Sequence, residues 1–155
     1  MKRIFQVKQI STEEAKARAF AIRMRVFVRE QGVPAEIELD ADDQRAIHLI
    51  ALTAGKTVGT ARIVMRRQSA KIGRMAVLKS FRRRGAGAKL LARAVATARR
   101  RGAQKIYLHA QVPVIGFYEK MGFVCAGPVF SEAGIPHRKM VWKKAVPKQP
   151  SGNTE

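Results

Sequence analysis

Apolar positions follow two different spacings along this chain. Short runs rich in Val, Ile and Ala, bounded by glycine or charged residues, are typical of β-strands. They predict strands at 4–9, 47–53, 57–65, 71–77, 106–110, 123–126 and 137–142, and we expect the last two to form an antiparallel pair. Gly55 separates two of these runs closely enough to predict a hairpin turn.

Other segments have apolar residues three and four positions apart, which is the spacing of an amphipathic helix. One helix is predicted to begin at Ser11, whose spacing to Glu14 fits a capping box. Its buried face is expected to hold Ala15, Ala19, Ile22 and Val26. Further helices are predicted at 87–101 and 114–121, and 31–43 is predicted to be a loop or a short helix. Strands and helices alternate in part and cluster in part, so the chain predicts an α/β fold with a mixed sheet.

The length of 155 residues fits one domain, which we expect at 1–143, followed by a flexible tail at 144–155. No apolar run approaches the roughly twenty residues of a membrane-spanning helix, and no signal peptide is expected at the start. The single cysteine, Cys125, excludes an internal disulfide and favours a reducing compartment, so we expect a cytoplasmic protein. The three histidines lack metal-ligand spacing, and no metal site is expected.

The net charge of +20 is unevenly distributed. Six of the 11 acidic residues lie between Glu30 and Asp43, and none lies between Asp43 and Glu119. A basic body attracts polyanions, and coenzyme A is one of them. The surplus also allows nucleic acid or the ribosome as a partner, although the basic runs are not interleaved with aromatic residues. A compositional bias toward Arg and Ala explains the charge equally well.

Arginines and glycines crowd the segment between the strand at 71–77 and the helix at 87–101, which reads Arg82-Arg-Arg-Gly85-Ala-Gly87. A strand, a glycine-bearing turn and a helix start place free backbone N–H groups and a positive helix end where a phosphate can bind. The spacing does not fit a Walker A loop, and a dinucleotide-binding fingerprint would need a glycine in place of Leu90. The segment therefore predicts a phosphate cradle of another kind.

The pattern Arg82-x-x-Gly85-x-Gly87 resembles the pyrophosphate loop of the GNAT family of acyl-CoA-dependent N-acetyltransferases. A second block is similar to another motif of that family, with matches at Phe117, Tyr118, Gly122 and Phe123. In this block Gln111 replaces the usual asparagine and Val114 replaces a small residue.

The front of the chain, at 25–43, looks like the small bacterial ElaA-like or YjcF-like branch of the same family, so that the resemblance covers about 4–143. It implies a single-domain, largely antiparallel mixed sheet flanked by helices, with a splayed central strand.

The resemblance also implies direct transfer of an acetyl group from acetyl-CoA to a primary amine, without a metal. Backbone amides of the central strand, at 75–77 here, would stabilise the negative charge that develops on the thioester oxygen. Tyr118 matches the general acid of the family. The residues expected to bind acetyl-CoA are Met75, Ala76, Val77, Arg82, Arg83, Arg84, Gly85, Ala86, Gly87, Ala88, Gln111, Phe117 and Tyr118.

The attacking amine needs a base or a water relay, because a primary amine is mostly protonated at neutral pH. The candidates are the carboxylates of the first helix, Glu30, Glu36, Glu38, Asp40, Asp42, Asp43, Glu119 and Glu132, and the imidazoles of His48, His109 and His137. The acidic segment 36–43 borders the acceptor site in the family, which makes Glu36, Glu38 and His48 the candidate substrate-binding residues. Alternatively, these acids only neutralise the arginine-rich body.

The acceptor is expected to be a small molecule or a protein amine, and the number of subunits stays open, with a homodimer as one candidate. Two alternative functions remain. One is a non-catalytic GNAT scaffold that binds nucleic acid or ribosomes through its basic surface, and the other is transfer of a longer acyl chain.

Overall fold

One sheet dominates the computed structural model, which describes residues 4–143, so that the predicted tail at 144–155 lies outside the described residues. The strands are β1 (Gln6–Ile10), β2 (Ile47–Thr53), β3 (Lys56–Arg66), β4 (Ser69–Val77), β5 (Lys105–Gln111), β6 (Phe123–Cys125), β7 (Phe130–Glu132) and β8 (Ile135–Trp142). Their order is β1-β2-β3-β4-β5-β8-β6, and β7 also pairs with β8. Among the strand pairs of residues 4–143, only β4 and β5 run parallel, which confirms the predicted largely antiparallel mixed sheet.

The helices of the described residues are α1 (Glu13–Arg23), α2 (Ala35–Glu38), α3 (Ala86–Arg100) and α4 (Ile115–Lys120). A π-helical segment, Met24–Glu30, continues α1 directly. Short 3₁₀ turns lie at Ala41–Gln44, Lys79–Phe81 and Val112–Val114.

The core lies between the sheet and α3. Leu90, Leu91, Ala94 and Ala98 of α3 are all fully buried, as their spacing predicts, while Val95 is half-buried and packs against them. Burying one leucine side chain contributes about 1.5–3 kcal/mol, so this stripe fixes α3 firmly on the sheet. The N-terminus of α3 is thereby held at the end of β4.

The local start of α1 differs from the prediction. Thr12, not Ser11, caps the helix, because Thr12 Oγ1 accepts a hydrogen bond of 3.1 Å from the backbone N–H of Ala15. The predicted capping box between Ser11 and Glu14 is therefore wrong, and Ala15, three residues after Thr12, has no carboxylate to form one there. The sequence analysis also did not predict β7, whose three residues offer no apolar run.

A bulge in β4 breaks the regular pairing of the sheet. Thr60 pairs with Ala76 and Arg62 with Gly73, so β4 contains one residue more than β3 over this interval. Arg74, within the bulge, has φ of +50°, in the left-handed region that non-glycine residues rarely adopt. The parallel pairing of β4 with β5 ends at Ile72 and Leu108. Beyond this pair the two strands separate, which confirms the predicted splayed central strand.

Candidate functional site

A cavity of about 990 Å³ opens at the gap between β4 and β5. Its walls are formed by the π-helical segment, by α2 with the loop that follows it, by the bend that precedes α3, by helix α4 and by the hairpin of β7 and β8. It brings together most of the residues that the sequence analysis assigned to acetyl-CoA. Those on the lining are Met75, Ala76, Val77, Arg82, Arg83, Gly85, Gly87, Ala88, Gln111, Phe117 and Tyr118. Ala86 is buried and Arg84 is exposed, and neither belongs to the lining.

The bend between β4 and α3 has the conformation of an anion cradle. Gly85 precedes the first turn of α3 with φ of +97°, which an L side chain adopts only under strain, and Arg83 has φ of +64°. A Cβ atom added at Gly85 would meet nothing within 4 Å, and one added at Gly87 would lie 3.6 Å from the Phe117 ring. The bend therefore leaves open space above the backbone N–H groups of a 15-residue helix.

Arg82 is held by groups of the protein itself. Its Nε donates a hydrogen bond of 2.8 Å to the carbonyl of Val77, and its two terminal nitrogens each lie 2.8 Å from an oxygen of Glu30. This hydrogen bonding by Arg82 lowers the pKa of Glu30. The guanidinium thus links the bend to the end of the π-helical segment.

The backbone amide of Val77 on β4 is directed toward the gap. The N–H of Leu78 donates to Val58 on β3 at 2.9 Å, and successive amides along a strand point to opposite sides. The N–H of Val77 is therefore directed away from β3, toward the side that β5 has left. A donor in this position can stabilise negative charge on a ligand oxygen.

Tyr118 lines the same cavity from α4. Its ring makes edge contacts with Phe117, at 5.1 Å between centroids, and with Phe123, at 6.2 Å. Burial raises the pKa of Tyr118 to about 12, so the hydroxyl keeps its proton at neutral pH and can donate it. No hydrogen bond joins this hydroxyl to another of residues 4–143.

The acidic loop, residues 36–43, forms the opposite wall of the cavity, but arginine side chains bind the carboxylates of Glu38 and Asp40. Glu38, which is 3% exposed, accepts a hydrogen bond of 3.1 Å from Arg23 and lies 3.1 Å from Arg74. Asp40 contacts Arg62 at 2.7 Å and Arg74 at 3.1 Å. Burial raises the pKa of Glu38, whereas the hydrogen bond from Arg62 lowers the pKa of Asp40. These ion pairs agree with the alternative that the acids neutralise nearby arginines, and a substrate contact of this segment stays a prediction.

Of the three candidate substrate-binding residues Glu36, Glu38 and His48, Glu38 alone lines the cavity. Glu36 is exposed and lies outside the lining, and the carboxylate of Glu38 is engaged as described. His48 is buried on β2, where its Nε2 lies 2.9 Å from the carbonyl of Asp43 and its ring contacts Phe20. It does not belong to the cavity lining.

A second polar group lies on the wall formed by β5, β7 and β8. Nδ1 of His109 lies 2.8 Å from Oε1 of Glu132, and the imidazole makes an edge contact with Phe130 at 4.9 Å between centroids. Burial lowers the pKa of His109 despite the neighbouring carboxylate. Lys71 and His137 line the same part of the cavity. His109 and Glu132 were separate candidates from the sequence, and β7, which brings them together, was not predicted.

The described part of the chain shows neither a metal site nor a membrane-spanning helix. Residues 4–143 contain no group of three or more His, Cys, Asp or Glu side chains arranged to hold a metal ion. Within the same range, no helix has the length and apolar character to cross a membrane.

Comparison with known proteins gives a consistent result. Residues 6–144 match the family model described as an acetyltransferase (GNAT) domain. The chain is 38% identical to the uncharacterized N-acetyltransferase YjcF of Bacillus subtilis, over 83% of this chain and 93% of the relative.

Two solved structures resemble the fold closely. The crystal structure of Escherichia coli ElaA has a TM-score of 0.81 and 25% identity, and covers 90% of this chain and 100% of that one. An acyl-CoA N-acyltransferase from Pseudomonas aeruginosa has a TM-score of 0.79 and 28% identity, with 92% and 100% covered.

Proposed function

Because this chain belongs to the GNAT acetyltransferase family, we propose that it transfers an acetyl group from acetyl-CoA to a primary amine by direct attack of the amine on the thioester. The observation that carries the proposal is the gap beyond Ile72 and Leu108, which opens next to the N-terminus of α3. A thioester arm can enter the gap while its phosphates bind at the bend.

The bend fits a diphosphate. The open space at Gly85 allows phosphate oxygens to approach the backbone, and the dipole of α3 adds positive potential there. Arg82 and Arg83 line this end of the cavity and supply formal positive charge. The bound co-substrate supplies the activated acetyl group, and the protein's part is to orient and polarise it.

Two groups of the chain act on the reacting atoms in this proposal. The N–H of Val77 donates to the thioester oxygen as it gains negative charge, which stabilises the transition state without reorganisation. The hydroxyl of Tyr118 donates its proton to the departing sulfur, because its raised pKa keeps it protonated.

Binding and turnover test the proposal separately. Acetyl-CoA or CoA at a hundred times its Kd should stabilise the protein by roughly 2.7 kcal/mol, which a thermal shift measurement detects. Released thiol is then followed with acetyl-CoA and each of five amines: tyramine, spermidine, glucosamine, serine and a lysine-containing peptide. Absence of both a thermal shift and thiol release would contradict the proposal.

A longer acyl chain is the second candidate, since apolar side chains of the π-helical segment and the residues after it line the cavity: Val26, Phe27, Val33 and Ile37. Comparing kcat/KM for acetyl-CoA and octanoyl-CoA with the same amine decides between them.

Binding of nucleic acid through the basic surface would leave the cavity unused. Lys105 and Lys139 both lie over the ring of Tyr107, at 5.7 and 4.9 Å from its centroid, so positive charge is concentrated there. Affinity for a short DNA duplex that falls steeply with salt, with no response to acetyl-CoA, would favour this function. We also propose that the acetyltransferase acts in the cytoplasm, because a single unpaired cysteine fits a reducing compartment.

A further inference from the structure

His109 occupies the point where β5 leaves β4. The last pair of the two strands joins Ile72 to Leu108, so His109 is the first residue of β5 beyond the pairing. Leu108 and Ala110 are buried in the core, and alternation along the strand directs the His109 side chain to the cavity face. Its imidazole therefore lies at the apex of the gap, which is the point where β4 and β5 begin to separate.

The strand opposite His109 leaves this apex open. Gly73 follows Ile72 on β4 and also lines the cavity. A Cβ atom added at Gly73 would meet no heavy atom within 4 Å. An acceptor can therefore approach the apex beside His109 without displacing a side chain of β4.

Glu132 fixes the imidazole. Its carboxylate lies 2.8 Å from Nδ1, and a carboxylate with a lowered pKa accepts a hydrogen bond from Nδ1–H. This contact leaves Nε2 without a proton and able to accept one. Within residues 4–143 Nε2 makes no hydrogen bond, and the His109 side chain is 23% exposed.

The other candidate bases on the lining are occupied or lack such support. Arginines bind the carboxylates of Glu38, Asp40 and Asp42. His137 donates from Nδ1 to the carbonyl of Ile135 at 2.7 Å and is only 6% exposed. No ion pair among the described residues joins a carboxylate to the His137 ring, whereas Glu132 lies 2.8 Å from His109.

Resting on the acetyl transfer proposed above, we infer that His109 is the general base for the acceptor amine and that Glu132 is its positioning residue. The amine attacks in its neutral form, and Nε2 takes one proton from its nitrogen as the N–C bond forms and the C–S bond breaks. Nδ1–H stays bonded to the Glu132 carboxylate. The departing sulfur receives the Tyr118 proton, giving the N-acetylated amine and free CoA thiol. Tyr118 and His109 then return to their starting states by proton exchange with water.

Titratable groups on three other strands influence the protonation of His109. Glu132 on β7 favours the imidazolium, while Lys71 on β4 and His137 on β8 disfavour it, and Tyr107 adjoins it on β5. Burial has the largest effect, and together these groups lower the pKa of His109. The base is thus unprotonated at neutral pH, and activity should fall only as the pH drops below the usual range of histidine.

The test compares His109→Gln, Glu132→Gln and His137→Gln with the unmodified protein, using the best amine among the five named above. Glu13→Gln is the matched control, since Glu13 is exposed in the first turn of α1, away from the cavity. Loss of a general base lowers kcat by about 100-fold or more, and we expect this for His109→Gln. Binding of acetyl-CoA, measured by thermal shift, should not change.

Glu132→Gln should change the pH dependence of kcat, which loss of a merely structural contact would not do. Without the carboxylate the imidazolium loses its stabilising partner, so the acidic limb of the kcat profile should move to lower pH while the plateau falls about tenfold. Nitrogen NMR of the His109 ring in the ligand-free protein should show the Nδ1–H tautomer, and Glu132→Gln should weaken this preference, because an amide can also donate to Nδ1.

Each failure has a distinct meaning. An unmodified protein that neither binds nor turns over acetyl-CoA contradicts the proposed function. An active protein in which His109→Gln matches Glu13→Gln, or in which His137→Gln causes the large loss instead, overturns this inference. An Nε2–H tautomer of His109 overturns it as well, whichever amine is accepted.

Discussion

Arg74 Nε lies 3.1 Å from Oε2 of Glu38 and donates to the Glu38 carbonyl at the same distance. Arg74 is the left-handed residue of the β4 bulge, and Glu38 ends α2. The pair therefore fastens the bulge that separates β4 from β5 to the acidic loop on the far wall of the cavity. A strained backbone at a site persists when surrounding contacts hold it, and these ion pairs supply such contacts.

Arg74→Ala should lower the free energy of unfolding by about 2–4 kcal/mol, because it leaves the buried Glu38 carboxylate with one partner fewer. Arg74→Gly should cost about 1 kcal/mol less, because glycine adopts positive φ without strain. Urea unfolding measures both values. The control is Arg45→Ala, which removes an exposed contact of 3.6 Å with Asp42 and should change stability little. Equal costs for Arg74→Ala and Arg74→Gly would show that the bulge stores no strain.

Glu30→Gln should tighten binding of acetyl-CoA by a few fold. Glu30 neutralises Arg82 in the free protein, so its removal leaves the guanidinium available to a phosphate, which corresponds to about 0.5–1 kcal/mol. Isothermal titration at constant ionic strength gives the affinity. Glu14→Gln removes an equal charge at a distant exposed pair and should have no comparable effect. Weaker binding in Glu30→Gln would mean that the ion pair shapes the bend instead.

Tyr118→Phe should lower kcat by about 100-fold and leave the affinity for acetyl-CoA close to unchanged, since only the donated proton is lost. Because burial raises the pKa of Tyr118 to about 12, the unmodified enzyme should show no alkaline fall in kcat up to about pH 10. Tyr107→Phe removes the only other tyrosine hydroxyl of the chain and should retain most of the activity. Full activity of the Tyr118→Phe variant would remove the hydroxyl from the mechanism.

The acidic network should also make stability depend on pH. Burial opposes ionisation of Asp43, yet hydrogen bonds from Arg23 and Arg62 hold its pKa well below the usual range. A lowered pKa stabilises the fold above the ordinary aspartate value near 4, and this contribution disappears as the pH falls further.

Asp43→Asn should therefore cost about 3–5 kcal/mol at pH 7, where the buried Arg23 loses a charged partner. The difference from the unmodified protein should shrink steadily as the pH falls from about 4 to about 2. Urea unfolding at neutral, mildly acidic and strongly acidic pH measures this difference, and a difference that stays constant would place the cause in packing rather than in charge.

Local sequence patterns predicted the framework of the fold. The apolar runs, the stripe of α3 and the glycines of the bend each depend on neighbours within a few residues, and each appears where it was predicted. The splayed strand came from the resemblance to a family, since nothing in 71–77 marks Arg74 as a left-handed residue.

Contacts between distant segments could not be predicted from local sequence patterns. Glu38 was assigned to substrate because its loop is acidic, but Arg23 and Arg74, which bind it, lie 15 and 36 residues away. β7 escaped prediction because its alternation spans only three residues. The turn signal at Gly134, between Phe130 and Ile135, was the one clue to the hairpin that delivers Glu132 to His109.

The arrangement of β8 affects how the protein is made. This strand pairs with β5 along one edge and with both β6 and β7 along the other. During synthesis β5 therefore emerges well before the strand that covers it, and its open edge can recruit another nascent chain. We therefore expect the yield of folded protein to depend on how soon Ile135–Trp142 covers this edge.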